Sequence, residues 1–388
     1  GLQEAVRAGL DHLRASTSGR DTVLVVGAPL LHQDRLYDCA VVMQDGEYGG
    51  IVPKTVLPNY KEFYEKRWFS SGRDLAGGHL CLDGSQVPFG TDLVFRADDT
   101  FCLGLEICED LWAVTPPSSH LALAGATVLA NLSASNEIIG KSDYRRQLVC
   151  AQSARCVAAY AYASAGIGES STDLVFGGHA LVAENGRVLA ENERFAREGG
   201  LLTADIDCLR LQQQRQSETS FAENPVHHAR CVALAPVPCP ADLRRDVDAH
   251  PFVPSAATAR HERCREIFNI QATALAHRLE HARVERAVIG VSGGLDSTLA
   301  LLVCAEAMHM LDRDLDRILA VSMPGFGTSD RTRGNAEGLC SALGVDFREI
   351  DITAACRQHM QDIGQDPDAR DVTFENIQAR ERTQVLMD

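Results

Sequence analysis

Two short stretches of the chain hold residues whose types and order suit chemistry. In the first, Ser292-Gly293-Gly294-Leu295-Asp296-Ser297 follows an apolar run at 288–291 and leads into a helical pattern. Two glycines permit the positive φ and close backbone approach of a tight strand-to-helix turn. Backbone N–H groups and the helix N-terminus then converge where an oxyanion can sit. The hydroxyls of Ser292 and Ser297 add donors. A carboxylate at Asp296 is out of place in an anion site unless a cation shares it, which makes Asp296 a ligand for Mg2+ bridging to phosphates. This is not a GxxxxGK[ST] loop. In the second stretch, Cys108 stands where the apolar run 101–107 ends, in the polar company of Glu109 and Asp110. A strand end presents a nucleophile at the edge of a sheet. Most free cysteines are small buried hydrophobes, and that reading suits Cys102, Cys150, Cys156 and Cys304.

The elements that must position these residues are legible as periodicity. Strands are expected at 22–27, 37–44, 50–56, 101–107, 127–131, 158–163 and 174–183, with a hairpin about Asp45-Gly46 and helices at 119–124 and 144–156. This mixture predicts an α/β sandwich with hairpins. Prolines 236, 238, 240, 251 and 254 then interrupt every apolar period and mark a linker. Beyond it come a long amphipathic helix at 258–280, strand 287–291, helix 297–311, strand 318–322 and helix 331–343. That order predicts a doubly wound parallel sheet. Three segments follow: 1–235, a linker at 236–257, and 258–388. The helical patterns at both termini, 2–13 and 374–388, start and stop without caps, so the chain reads as truncated at both ends.

Bulk properties narrow the function. A chain of 388 residues, 45% apolar and 23% charged, is in the globular range, with no apolar run long enough to span a bilayer. A net charge of −16 excludes a non-specific grip on nucleic acid. The 13 cysteines lack short paired spacings, which points to a reducing, cytoplasmic setting.

The loop at 292–297 resembles the SGGxDS loop of the N-type ATP pyrophosphatases, which cleave ATP between its α- and β-phosphates and adenylate a substrate oxygen. The sequence around Cys108, with Gly50-Ile51-Val52-Pro53-Lys54-Thr55-Val56-Leu57-Pro58-Asn59-Tyr60, resembles the carbon-nitrogen hydrolase (nitrilase-like) amidases. Either half alone leaves alternatives open: a stand-alone amidase, or a GMP or asparagine synthetase. Their union in this order resembles the glutamine-dependent NAD+ synthetases. The resemblance implies a nitrilase-like α-β-β-α glutaminase domain, followed by a synthetase domain that amidates deamido-NAD+ with ATP and Mg2+. It implies Cys108 and Lys54 as catalytic residues, and Tyr60, Glu109, Ser135 and Lys141 as holding glutamine. It assigns ATP to Gly290, Val291, Ser292, Gly293, Gly294, Leu295, Asp296 and Ser297, with Met323 in the segment 321–329 beside adenine and ribose. Asn376 and Arg380, in the run 374–382, would face deamido-NAD+. The family's third catalytic residue is a glutamate upstream of the lysine motif. Glu4, Asp21, Asp34 and Asp38 lack its context, so it is expected outside this chain. Small-molecule substrates, no membrane partner and a homo-oligomer are implied as well.

Overall fold

In a computed structural model of the chain, residues 1–166, 168–169, 174–236, 242–254, 256–326 and 330–388 are described. They divide into two compact units, Gly1–Asp246 and Val247–Asp388. Residues 327–329 of the segment 321–329, and Pro238 and Pro240 of the linker, lie outside the described residues.

The first unit begins with α1 (Leu2–Ser16), followed by β1 (Leu24–His32), β2 (Arg35–Gln44), β3 (Glu47–Pro53), β4 (Gly78–Leu82) and β5 (Ser85–Phe89). These strands form one sheet in the order β1-β2-β3-β5-β4. It continues with β6 (Leu93–Arg96), β7 (Cys102–Ile107), α2 (Pro117–Leu123), β8 (Val128–Ser133), α3 (Lys141–Arg155), β9 (Ala159–Ser164), β10 (Ala180–Glu184), β11 (Arg187–Glu191), α4 (Cys208–Ser217), α5 (Thr219–Ala222) and β12 (Arg230–Ala233). The second sheet has the order β11-β10-β9-β8-β7-β6-β12.

Period-two alternation explains the layering. In β2, Ala40 and Val42 meet Leu103, Leu105 and Ile107 of β7 in the core between the sheets. The intervening Cys39, Val41 and Met43 face outward onto Leu10 of α1. Leu121 of α2 and Val149 of α3 cover the far side of the second sheet. The result is an α-β-β-α sandwich. Three hairpins turn on an Asp-Gly or Asn-Gly pair with both residues at positive φ: Asp45-Gly46, Asp83-Gly84 and Asn185-Gly186. Strand β10 starts at Ala180, later than the expected 174, and β12 forms a parallel edge on β6 close to where the apolar period fades.

The second unit contains α6 (Ala257–His281), β13 (Ala287–Gly290), α7 (Leu295–Met310), β14 (Ile318–Ser322), α8 (Asp330–Leu343), β15 (Asp346–Glu349), α9 (Thr353–Ile363) and α10 (Val372–Met387). Its parallel sheet has the order β13-β14-β15. Ile318 and Ala320 face α6, α7 and α8, whereas Val321 faces α9 and α10, so helices cover both faces.

Candidate active site

Strand β7 is buried along its whole length and delivers Cys108 as the first residue of the 3-10 turn Cys108–Trp112. Cys108 has φ +48°, a left-handed backbone that a residue bearing a Cβ adopts only where its surroundings enforce it. Asn131, near the end of the neighbouring strand β8, supplies that enforcement. Its Oδ1 accepts the Cys108 N–H at 3.0 Å, and its Nδ2 donates to the Cys108 carbonyl at 3.4 Å. Cys108 stays buried in this turn, yet it lines two cavities at once.

The first cavity, of about 340 Å3, is bounded by Tyr60, Glu109, Trp112, Ser135, Lys141 and Cys108. It therefore gathers all four residues expected to hold glutamine. The Tyr60 hydroxyl donates to Glu109 Oε1 at 2.6 Å. Burial, followed by this carboxylate partner, raises the Tyr60 pKa. Lys141 opens α3, with its ammonium over the rings of Phe63 at 5.5 Å and Trp112 at 5.4 Å. It donates to Asn136 Oδ1 at 2.5 Å, and Asn136 Nδ2 donates to Glu62 Oε1 at 2.7 Å. Burial and then nearby Arg145 lower the Lys141 pKa. Ser135 is buried, and its hydroxyl accepts from Arg145 Nη2 at 3.3 Å.

The second cavity, of about 440 Å3, is bounded by Cys108, Lys54, Asp38 and Glu65 together with residues of β1 and the ends of β8 and β9. Lys54 directly follows β3 and is 2% exposed. Its Nζ lies 2.6 Å from Glu65 and 3.7 Å from Asp38. Burial pulls the Lys54 pKa down, but Cys108, Glu65 and Asp38 more than offset it, so the group is held above its ordinary value. An ion pair alone would lower both carboxyls. Here burial raises them against the pull of Lys54. In sequence, Asp38 lacks the context of a catalytic carboxylate and Glu65 carries no signal of a role. Their approach to Lys54 is a product of tertiary pairing: β2 lies beside β3, and Glu65 begins a 3-10 turn in the loop after the lysine. Asn131, Asn136 and Asp110 were missed for the same reason.

In the second unit the loop expected to hold phosphates follows β13. Gly290 closes the strand, and Val291 N–H donates to Val321 O at 2.9 Å. The Ser292 and Ser297 hydroxyls lie 3.2 Å apart, and Ser297 Oγ accepts the Ser292 N–H at 3.2 Å. Gly293 has φ +77°, and a Cβ there would stand 1.9 Å from the backbone oxygen of Thr332. Leu295 and Asp296 occupy the first turn of α7, both exposed. The exposed Asp296 carboxylate and the neighbouring Ser292 and Ser297 hydroxyls are hard-oxygen donors of the kind Mg2+ takes. Met323 is buried, its carbonyl accepting from Arg382 Nε at 3.3 Å. Asn376 and Arg380 share the exposed face of α10, one turn apart, while Phe374 and Ile377 bury the opposite face.

Residues 4–216 match the family model for carbon-nitrogen hydrolases, and residues 267–388 match that for NAD synthase. The glutamine-dependent NAD(+) synthetase of Mycobacterium tuberculosis is 45% identical, the match covering 99% of this chain and 59% of the relative. That of Thermotoga maritima is 29% identical over 90% of this chain and 56% of the relative. The chain thus spans less than two thirds of the length of the curated relatives it matches. A solved glutamine-dependent NAD+ synthetase from Acinetobacter baumannii, in complex with adenosine diphosphate, aligns with a TM-score of 0.43 at 24% identity, covering 100% of this chain and 62% of that one.

Proposed function

The chain belongs to the carbon-nitrogen hydrolase family, and on that premise we propose that it carries out ATP-dependent amidation of deamido-NAD+ to NAD+ with ammonia released from glutamine. The observation that carries the proposal is the position of Cys108 between two cavities, one a pocket of amide-substrate size and the other holding a buried ammonium. The family match of residues 267–388 to NAD synthase supports the second half of the reaction.

In the first unit, Cys108 Sγ attacks the side-chain amide carbon of glutamine. A carbon–sulfur bond forms, the carbon–nitrogen bond breaks, and the nitrogen takes up the proton given up by the thiol and leaves as ammonia. Water then cleaves the thioester to give glutamate. Lys54, kept protonated by Glu65 and Asp38, favours the thiolate and the oxyanion of the tetrahedral intermediate. Lys141 presents positive charge to the substrate's α-carboxylate. Glu109 and Ser135 take up its α-ammonium or amide, and Tyr60 closes the pocket.

In the second unit, residues 290–297 would bind ATP, with Met323 on the adenine side, and Asn376 and Arg380 would face deamido-NAD+. Asp296 would hold Mg2+, which when bound neutralises phosphate charge. Adenylation by ATP, with diphosphate as leaving group, turns the nicotinate carboxylate, a poor acyl donor, into one that ammonia can attack with AMP leaving. The reading also assigns residues 1–235 to the glutaminase, 236–257 to a linker and 258–388 to the synthetase, in a cytoplasmic homo-oligomer. No helix among the described residues is long and apolar enough to cross a membrane.

The test is NAD+ formation from deamido-NAD+, ATP and Mg2+ with either glutamine or ammonium, followed by mass spectrometry, in the complete protein and its Cys108→Ala variant. NAD+ is expected from both nitrogen sources, with Cys108→Ala abolishing only the glutamine reaction. Absence of NAD+ even with ammonium overturns the synthetase assignment.

A further inference from the structure

Asp110 is buried, two residues beyond Cys108, and its carboxylate accepts hydrogen bonds from both sides of the site. On the cysteine side it takes the Ile107 N–H at 2.9 Å. On the lysine side it takes the Thr55 N–H at 3.1 Å, the Thr55 hydroxyl at 2.6 Å and the Val56 N–H at 2.8 Å. Capping the short turn Cys108–Trp112 explains only the first of these, and a neutral side chain could serve there. The other three reach residues 54 and 55 positions away in sequence, directly after Lys54.

We propose that Asp110 is a positioning residue whose carboxylate sets the placement of Lys54 against Cys108. This inference rests on the reading of Cys108 as nucleophile and Lys54 as its cationic partner. One carboxylate bonds to the residue before the cysteine and to the two residues after the lysine, so neither segment can shift without breaking bonds to a charged, desolvated acceptor. Burial raises the Asp110 carboxyl, but the Thr55 hydroxyl, the Ile107 and Val56 N–H groups and the Lys54 ammonium all favour its ionised form. An isosteric amide cannot replace it: Asn has one acceptor oxygen, and its NH2 would confront an N–H donor on one side of the site.

The test uses the complete protein with Asp110→Asn and Thr55→Val, the latter removing one donor while keeping the side-chain shape. Alkylation of Cys108 by iodoacetamide is followed against pH by mass spectrometry of the Cys108 peptide, beside kcat and KM for glutamine hydrolysis and the thermal midpoint. Asp110→Asn is expected to lower kcat by about 100-fold with KM nearly unchanged. It should also slow alkylation of Cys108, because the ammonium no longer stands firmly by the sulfur. Thr55→Val should move both readouts in the same direction by a smaller step. A lowered thermal midpoint with a wild-type alkylation profile and kcat overturns the proposal, and if Asp110→Asn fails to fold, Thr55→Val decides by the same criteria. Retention of glutamine hydrolysis by Cys108→Ala would instead overturn the underlying reading of the nucleophile.

Discussion

Two residues before Cys108, Glu106 is a carboxyl group that the proposed chemistry does not use. It alternates away from the core between the sheets toward α2, where Oε2 accepts the Ser118 N–H at 2.8 Å and Oε1 accepts the Tyr160 hydroxyl. Burial pushes its pKa from 4.5 to about 7, only partly opposed by the Tyr160 hydrogen bond. The folded state therefore keeps a proton that the unfolded chain releases. Such a group contributes stability that is fully present below pH 4.5 and is lost as pH rises toward 7. Over that window the shift corresponds to roughly 3 kcal/mol. Glu106→Gln, which keeps an oxygen for Ser118 N–H and can donate to the Tyr160 oxygen, is expected to flatten the fall and to be the more stable form at pH 8. Urea midpoints of both proteins between pH 4.5 and 8 measure this; equal slopes would count against it. At this scale the sequence was readable where chemistry is local. Cys108 and Glu109 are adjacent, and Tyr60, Ser135 and Lys141, drawn from family resemblance, do line one cavity with them. Asp38 and Glu65 were unreadable because nothing in the spacing of either from Lys54 indicates that burial will force three charges together.

Elements position these groups through a repeated device, the strand that ends in a constrained turn. Strand β7 ends at Cys108 with a left-handed backbone clamped by Asn131, and β13 ends at a loop whose Gly293 is left-handed as well. The second turn tolerates no Cβ, since the added atom would lie 1.9 Å from the carbonyl oxygen of Thr332 in α8. Gly293→Ala must therefore displace the loop or α8, beyond the cost of about 1 kcal/mol for a left-handed non-glycine residue. ATP binding, measured by titration calorimetry, is expected to weaken at least tenfold, on the order of 1.4 kcal/mol or more. Gly338→Ala is the control, because it lies in α8 outside the loop and its Cβ would meet nothing within 4 Å. Equal binding by the two variants would exclude the steric argument. The hairpin β2–β3 was legible from Asp45-Gly46, yet Asp83-Gly84 carries the same signal and the strands on either side of it were passed over. Strands β4 and β5 are each 5 residues long, too short for alternation alone to stand out. Strand β12, at 4 residues, lies against the proline-rich stretch and gains its identity from pairing with β6.

At the scale of the whole molecule, each unit closes its own core. Side chains such as Leu105, Phe95 and Val42 fill the first, and Leu301, Met308 and Ile318 the second. Cooperative unfolding follows a shared core, so two cores predict two transitions in calorimetry. The order of the two halves was legible from the sequence, because a cysteine motif and a phosphate loop on opposite sides of a proline-rich stretch need no tertiary information to be told apart. Ligand linkage assigns the transitions. A ligand that binds one folded unit stabilises that unit by about 2.7 kcal/mol at a hundredfold excess over its Kd. ATP with Mg2+ is expected to raise only the transition of Val247–Asp388. Asp296→Asn removes the carboxylate but preserves the glycine turn and both serine hydroxyls, so it should abolish the part of the shift that depends on Mg2+ while leaving a smaller shift from ATP alone. A Mg2+-dependent shift of wild-type size in Asp296→Asn would place the cation on other ligands. A shift of the Gly1–Asp246 transition by ATP would mean that nucleotide binding is not confined to the unit that carries the loop.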